Sequence, residues 1–339
     1  MREAMFYKET TKGAGTVRCL LCSHQCQIKP YRRGLCQVRE NRDGTLYSLV
    51  YGKLVSENID PIEKKPIYHL LPGTLSYSIS TVGCNFRCHH CQNYGISQYP
   101  VNHPGEIPGQ HRTPEEVVTS AIKTGCASIS YTYVEPTIFF EFALDTARLA
   151  HDKGLKNVFV SNGYTGPEAT RTIAPFLTAN NIDLKAFSDR FYQEICGARL
   201  RPVLETIRLM KELGVWVEIT TLVIPDWNDS PEELKNIARF IHSIDPTMPW
   251  HVTAFHPTYK MADRPPTSAQ SLKTAREIGL AAGLKFVYTG NLADDVGANT
   301  YCPACQKTLI VRQGFQARVA GLSASTCQAC GHKLPGIFT

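Results

Sequence analysis

Residues Cys84-Asn85-Phe86-Arg87-Cys88-His89-His90-Cys91 set three thiols at CxxxCxxC spacing. An ordinary iron–sulfur cluster is held by four thiolates, so this set is one ligand short. The deficit has a chemical use. A 4Fe-4S cube held by Cys84, Cys88 and Cys91 keeps one iron open, and an amino-acid head group, nitrogen plus carboxylate, suits that position. The same spacing also admits a three-cysteine zinc site completed by His89 or His90.

Eight more of the thirteen cysteines fall into two blocks at the ends of the chain. The first is Cys19-x2-Cys22-x3-Cys26-x9-Cys36, with His24 inside it. Four thiols so close together point to a metal site, and the spacing leaves zinc and an iron–sulfur cluster both open. The second block is Cys302-Pro-Ala-Cys305, then 21 residues, then Cys327-Gln-Ala-Cys330-Gly331. Paired CxxC knuckles at this separation predict a zinc ribbon, with a rubredoxin-like iron as the rival. A segment this short and this poor in large apolar residues needs a metal to fold. Cys126 and Cys196 stand alone and read as inert buried thiols.

These groups need a frame. Between 76 and 291, apolar or β-branched runs at 76–82, 127–133, 157–161, 182–187, 215–224, 250–256 and 285–288 alternate with helical stretches. Thr113-Pro114-Glu115-Glu116 and Ser230-Pro231-Glu232-Glu233 are helix starts: a hydroxyl cap, proline in the first turn, glutamate at the third position. Gly154 and Gly214 follow candidate helices as stops. Alternation of this kind predicts an α/β fold with a parallel sheet, a partial (β/α) TIM-like barrel whose ligand site lies at the C-terminal strand ends. The expected organisation is an N-terminal Cys-rich metal-binding segment and linker at 1–75, a core at 76–292 and a zinc-ribbon-like segment at 293–339. Within the first, Asp60-Pro61-Ile62-Glu63-Lys64-Lys65-Pro66 reads as a rigid connection, exposed or reaching the site mouth.

Composition narrows the class. An odd count of thirteen cysteines, with no apolar segment in MREAMFYKET, argues against a secreted disulfide scaffold. A cytoplasmic protein is the expectation. No run approaches the ~18 apolar residues of a membrane span. The net charge of +6 is mild, and no Lys/Arg stripe with interleaved aromatics accompanies either cysteine block, so nucleic acid is not an expected partner.

GCNFRCHHCQN after the first strand of a (β/α) repeat resembles the radical S-adenosylmethionine (SAM) superfamily, in its glycyl-radical-activating branch, that of the pyruvate formate-lyase activating enzyme. CLLCSHQCQI, GLCQVREN, DPIEKKPIYH, YTYVEPT, NGY, NIDLKAF, NDSPEEL, FHPTYKMADRPPT and CPAC…CQACG, in that order, resemble the AmmeMemoRadiSam-system radical SAM enzyme over nearly the whole chain. The resemblance implies an oxidoreductase-type reaction. SAM binds the open iron of a 4Fe-4S cluster, and one electron cleaves it to methionine and a 5′-deoxyadenosyl radical that abstracts hydrogen from a substrate. It also implies roles. His90 lies close to the adenine; Glu135, in YTYVEP, accepts the SAM amino group; Asn162 approaches the cofactor; Asp183 lies beside SAM with Lys185 near its carboxylate; His256 stands near the adenosyl group. Val223 and Ile224 would pack on the adenine. Val160 stands where related activating enzymes have an acidic residue, a departure from the pattern that counts against a cation or ribose contact depending on that acid. Implied partners are proteins of the AMMECR and Memo types and a reductant such as flavodoxin or ferredoxin.

Two other functions fit parts of the sequence. A zinc-binding adaptor with a vestigial barrel would use the terminal blocks but leaves the three-cysteine deficit unexplained. An enzyme built on metal-activated water needs His/Asp ligands clustered at strand ends, and too few are present.

Overall fold

The computed structural model describes residues 1–10, 15–292 and 296–339. The start of the expected C-terminal segment, 293–295, lies outside the described residues. At the centre is one eight-stranded sheet. In chain order its strands are β1 (Ser56–Pro61), β2 (Leu75–Ser80), β3 (Ser128–Tyr131), β4 (Lys156–Ser161), β5 (Ala179–Asp183), β6 (Trp216–Val223), β7 (Trp250–Ala254) and β8 (Val287–Gly290). From β2 to β8 every neighbour pair is parallel and in sequential order. The sheet is open, with β1 and β8 at its edges.

Helices α1 (Pro114–Lys123), α2 (Phe140–Asp152), α3 (Pro167–Ile173), α4 (Leu200–Glu212), α5 (Pro231–Ile244) and α6 (Ala269–Ala281) fill the crossovers. Their starts obey the capping rules unevenly. Thr113 and Glu116 close a full capping box. Ser230 caps α5, but Glu233 accepts the Phe187 N–H of a neighbouring loop instead of closing the box. Gly154 and Gly214 adopt φ of +79° and +81°, the left-handed stop that a side chain would strain.

Three expectations change. The fourth strand of the parallel series is 179–183 rather than 182–187. Its Asn180 and Asn181 make the run look polar, yet both are buried. Asn181 donates to the Pro66 carbonyl (2.7 Å) and accepts from the Thr220 hydroxyl (2.9 Å). The strand carrying Trp250 ends at Ala254, two residues before His256. The 60–66 connection is neither exposed nor a linker. β1 pairs antiparallel with β2 from Ser56↔Ser80 to Pro61↔Leu75, and a 3-10 turn follows. Asp60, Ile62, Glu63 and Lys65 are buried there, with Lys65 on Asp60 at 2.6 Å and Glu63 facing Arg312 at 3.7 Å.

The cysteine blocks sit on short antiparallel sheets at opposite ends of the strands. Tyr7–Glu9, Val17–Cys19 and Gln27–Ile28 carry the first block, and Cys22 bridges to Thr165 just after β4. The C-terminal strands Thr300–Tyr301, Thr308–Gln313 and Gln316–Val319 pack near the starts of β6, β7 and β8. There the Glu218 carboxylate accepts from the N–H groups of Tyr68 and His69, from Trp216 Nε1 (2.9 Å) and from His251 Nε2 (2.6 Å). Arg312 reaches in from the ribbon, stacked over Tyr68 at 3.9 Å and donating to the Tyr68 carbonyl.

Candidate functional site

β2 is an inner strand, buried from Ser76 to Ser80, and the chain leaves its C-terminal end into the three-cysteine loop. Gly83 makes the exit possible. Its φ is +96°, and a Cβ would lie 2.7 Å from Val38 Cγ1 and 3.0 Å from the Cys36 carbonyl. The far side of the loop is pinned by backbone bonds: Arg87 N–H to the Cys196 carbonyl (2.8 Å), His89 N–H to the Ile195 carbonyl (3.0 Å). Those acceptors belong to a single π-helical turn, Tyr192–Cys196, a rare geometry found often at functional sites.

Cys84, Cys88 and Cys91 all lie partly buried on this loop. Burial, joined by the neighbouring thiols, holds Cys84 and Cys91 above the usual thiol range. Cys88 is raised well above it, first by a hydrogen bond with the Cys196 thiol and then by burial. Crowded, buried thiols resist ionisation until a cation is present, and a metal group reverses that balance. Cys196 is therefore no remote bystander: it is buried and in contact with the loop. A cysteine–glycine pair ahead of the helix that starts at Leu200 was the only trace of this in the sequence.

Side chains from two further strand ends meet His90 on the loop. Lys185, just past β5, pairs with Asp183 at 2.8 Å. Burial disfavours its charge, but Asp183 and the thiols of Cys88 and Cys196 outweigh that and hold its pKa well above the usual lysine value. His90 is buried with neither ring nitrogen hydrogen-bonded. Burial, then Lys185, keeps it neutral, well below the ordinary histidine pKa. Asn162, at the end of β4, donates to Asn85 Oδ1 at 2.8 Å and so ties that strand to the loop. The Asn85 amide nitrogen has no partner. Unpaired buried polar atoms cost stability unless something meets them, so His90 and Asn85 fit a site that receives a polar ligand.

Two predicted positions are placed differently. Glu135 is buried at the expected strand end and within electrostatic reach of Cys84. Its oxygens already accept from Thr137 N–H and hydroxyl, Ser161 hydroxyl and Asn162 N–H. It caps the turn after β3 and fixes Asn162, which leaves little of the carboxylate for an ammonium group. His256 lies beyond the end of β7 and is exposed, its Nε2 3.2 Å from the Asn291 carbonyl. Val223 and Ile224 are fully buried core residues.

The ribbon cysteines make a different arrangement. The sulfurs of Cys302 and Cys330 are 3.6 Å apart and those of Cys305 and Cys327 3.8 Å apart. All four lie within 4.8 Å of one another. A tetrahedron with metal–sulfur bonds of about 2.3 Å has edges of about 3.8 Å, so this set fits one tetrahedral ion. It sits at the N-terminal ends of the strands, away from the three-cysteine loop.

Comparison with known proteins agrees with this division. Residues 78–241, from β2 through most of α5, match the model of the radical SAM superfamily. Over 168 residues the chain is 24% identical to the pyruvate formate-lyase-activating enzyme of Clostridium pasteurianum, covering 48% of this chain and 67% of that protein. The crystal structure of Streptococcus suis SuiB shares the fold with a TM-score of 0.51 at 14% identity, over 68% of this chain and 52% of SuiB, so the chain spans about half of that protein. Residues 78–241 are thus a radical SAM superfamily domain, a type that implies a 4Fe-4S cluster and SAM. The whole chain shares a family with the uncharacterized protein MJ0808 of Methanocaldococcus jannaschii, 46% identical over 98% of this chain and 99% of that one. No helix among the described residues is long and apolar enough to cross a membrane.

Proposed function

We propose that this protein is a radical SAM enzyme of the glycyl-radical-activating type that cleaves SAM reductively at a 4Fe-4S cluster held by Cys84, Cys88 and Cys91. A cluster held by these three thiolates would supply the electron that cleaves SAM to methionine and a 5′-deoxyadenosyl radical for hydrogen abstraction. The observation that carries this is the convergence on one loop of three thiols, a lysine and an unpartnered neutral histidine, at the C-terminal end of the first parallel strand. Lys185 supplies the cation for a carboxylate. His90 offers a neutral ring and a hydrogen bond to a base. Asn162 and Asn85 fix the loop against β4, and Asp183 orients Lys185. The substrate is unidentified, and a protein is among its candidates. Partners of the AMMECR and Memo types, with a flavodoxin or ferredoxin as reductant, belong to the same AmmeMemoRadiSam reading. So does zinc as the ion of the ribbon.

The test is direct. Protein reconstituted anaerobically with iron and sulfide, then reduced and given SAM, should release 5′-deoxyadenosine and methionine. No product from protein whose cluster is demonstrably intact would sink the proposal. Cys84→Ala should abolish the product while the ribbon keeps its metal.

A further inference from the structure

The two faces of the central sheet differ in character. On one, Ile79, Ile129 and Phe159 pack with Val117, Phe142 and Ala147 of the helices. The other carries Ser78 and Ser130 side by side, then Val160 beside Asn181 and Asp183 beside Thr220. Residues 62–71 cross this second face. Ile62, Ile67 and Leu70 pack on Val158 and Ala179. The Pro66 carbonyl accepts from Asn181 on β5 at 2.7 Å, and the N–H groups of Tyr68 and His69 bond Glu218 on β6. The segment is therefore a floor over the starts of the strands. Nearer the strand ends the same face is open: Val160, Asp183 and Leu222 sit on inner strands and are still partly exposed. A recess lies between the floor and the three-cysteine loop.

Lys65 belongs to that floor, and the SAM site does not use it. Its side chain is 2% exposed, and its Nζ donates to Asp60 Oδ2 at 2.6 Å and faces the Tyr133 ring at 4.6 Å. An ammonium has three N–H groups, and among the described residues no other oxygen or nitrogen accepts from this one. Asp60 is itself shared. Lys64 takes its other oxygen at 2.8 Å, and the Tyr133 hydroxyl donates to it as well. Two lysines on one carboxylate leave one positive charge over. Burial brings the Lys65 pKa down to about 8 in spite of Asp60, so the carboxylate does not fully compensate the ammonium. Ser78 adds a second unmet group. It is fully buried, and its hydroxyl lies near the Tyr133 phenol without completing a hydrogen bond to any group. Its cross-strand neighbour Asn58 donates to the Tyr133 hydroxyl at 3.2 Å and is exposed, so solvent reaches this cluster past the β1 edge. Unmet buried donors are costly unless a ligand meets them. One surplus charge, an under-used ammonium and an idle hydroxyl suit a singly charged oxygen group; a phosphate dianion brings more charge than the cluster can balance.

We infer that Lys65 and Ser78 form a carboxylate-binding subsite at the floor of the recess, which anchors an acidic group of the substrate while the rest of the molecule extends towards the Cys84–Cys91 loop. The inference rests on the proposed reaction only in calling the ligand a substrate. The test uses the full chain, reconstituted anaerobically, as wild type, Lys65→Met and Ser78→Ala. Butyrate, its neutral counterpart butyramide and inorganic phosphate are titrated in turn at constant ionic strength and followed by calorimetry. Wild type should bind butyrate one to one and at least ~10-fold more tightly than butyramide, the size of a charge-assisted hydrogen bond. Lys65→Met should lose that preference, and Ser78→Ala should weaken butyrate binding by about 5-fold. Equal binding of butyrate and butyramide to wild type overturns the inference. So does an undiminished preference in Lys65→Met, or phosphate binding that is tighter than that of butyrate and depends on Lys65. If Lys65→Met does not fold, Ser78→Ala decides: butyrate binding at wild-type strength overturns the subsite. Formation of 5′-deoxyadenosine is measured on the same wild-type preparation. Its absence from protein with an intact cluster, beside a butyrate preference that Lys65 controls, would count against the SAM reading alone.

Discussion

Glu218→Gln tests whether the two ends of the sheet are as separate as the structure implies. Glu218 is fully buried and meets four donors: the N–H groups of Tyr68 and His69, Trp216 Nε1 and His251 Nε2. Burial alone would raise its pKa, but the His251 hydrogen bond, the nearby histidines and the Tyr68 N–H outweigh it and bring the carboxyl down to about 2. From the ordinary value of 4.5 that shift corresponds to about 3 kcal/mol of native-state preference for the charged form. Counting bonds gives a similar size. Making four charge-assisted hydrogen bonds neutral costs about 1 kcal/mol each, offset in part by the easier burial of an amide. Glu218→Gln should therefore destabilise the protein by about 3 kcal/mol at pH 7, read as a lower midpoint in thermal or urea unfolding. The sign with pH follows from the lowered pKa. The wild-type advantage is complete above the unfolded value near 4.5 and is lost as pH falls from there towards about 2. His69 adds a loss in the same direction at higher pH. Burial lowers its pKa to about 4, so falling pH through 6.5 favours the unfolded chain, in wild type and variant alike. Because Glu218 lies near the start of β6, 5′-deoxyadenosine formation per intact cluster should stay near wild type at a temperature where the variant is folded. A loss under 1 kcal/mol, or lost SAM cleavage with unchanged stability, would refute this reasoning.

Other outcomes follow from the same geometry. Cys305→Ser should release about one metal ion per chain and loosen the ribbon, with zinc the ion found by elemental analysis; iron in its place refutes the zinc assignment. Gly83→Ala should cost at least ~1–2 kcal/mol from its left-handed backbone alone, more from the clash with Val38 and Cys36, and lower iron incorporation at the loop. Cys196→Ala should leave iron content unchanged, because Cys196 neighbours Cys88 without being needed as a ligand; loss of a full cluster's iron would make it one. Lys185→Met should weaken SAM binding more than it lowers turnover at saturating SAM, measured as a rise in KM.

Much of the candidate site was legible in the sequence because its parts are local. CxxxCxxC, CPAC and CQAC are contiguous motifs whose spacing is itself the chemistry, and they needed no fold to be recognised. Asp183 and Lys185 were singled out through the resemblance to activating enzymes, and the structure pairs them at 2.8 Å at the end of β5. The failures have physical causes. Asn180 and Asn181 disguised a strand because both are polar yet buried, and the partners of Asn181, Pro66 and Thr220, are distant in sequence. Asp60 and Lys65 looked like a solvated linker because each is the other's buried partner. The surroundings of Glu135 were likewise hidden, since Ser161 and Asn162, which share its oxygens with Thr137, lie at the end of the next strand.

By itself, then, the sequence determined the cysteine groups and the alternating parallel architecture, properties of short spacings and periodicity, and it carried the motifs whose resemblance implies the superfamily. Tertiary structure decided which groups are neighbours. It placed the N-terminal thiols beside the Cys84–Cys91 loop, brought Cys196 against Cys88, and carried the ribbon to the opposite end of the strands. It also drew the four ribbon thiols within 4.8 Å of one another, tight enough for one ion. Those are distances between residues far apart along the chain, set by packing of the sheet against its flanking segments, and no spacing in the sequence encodes them.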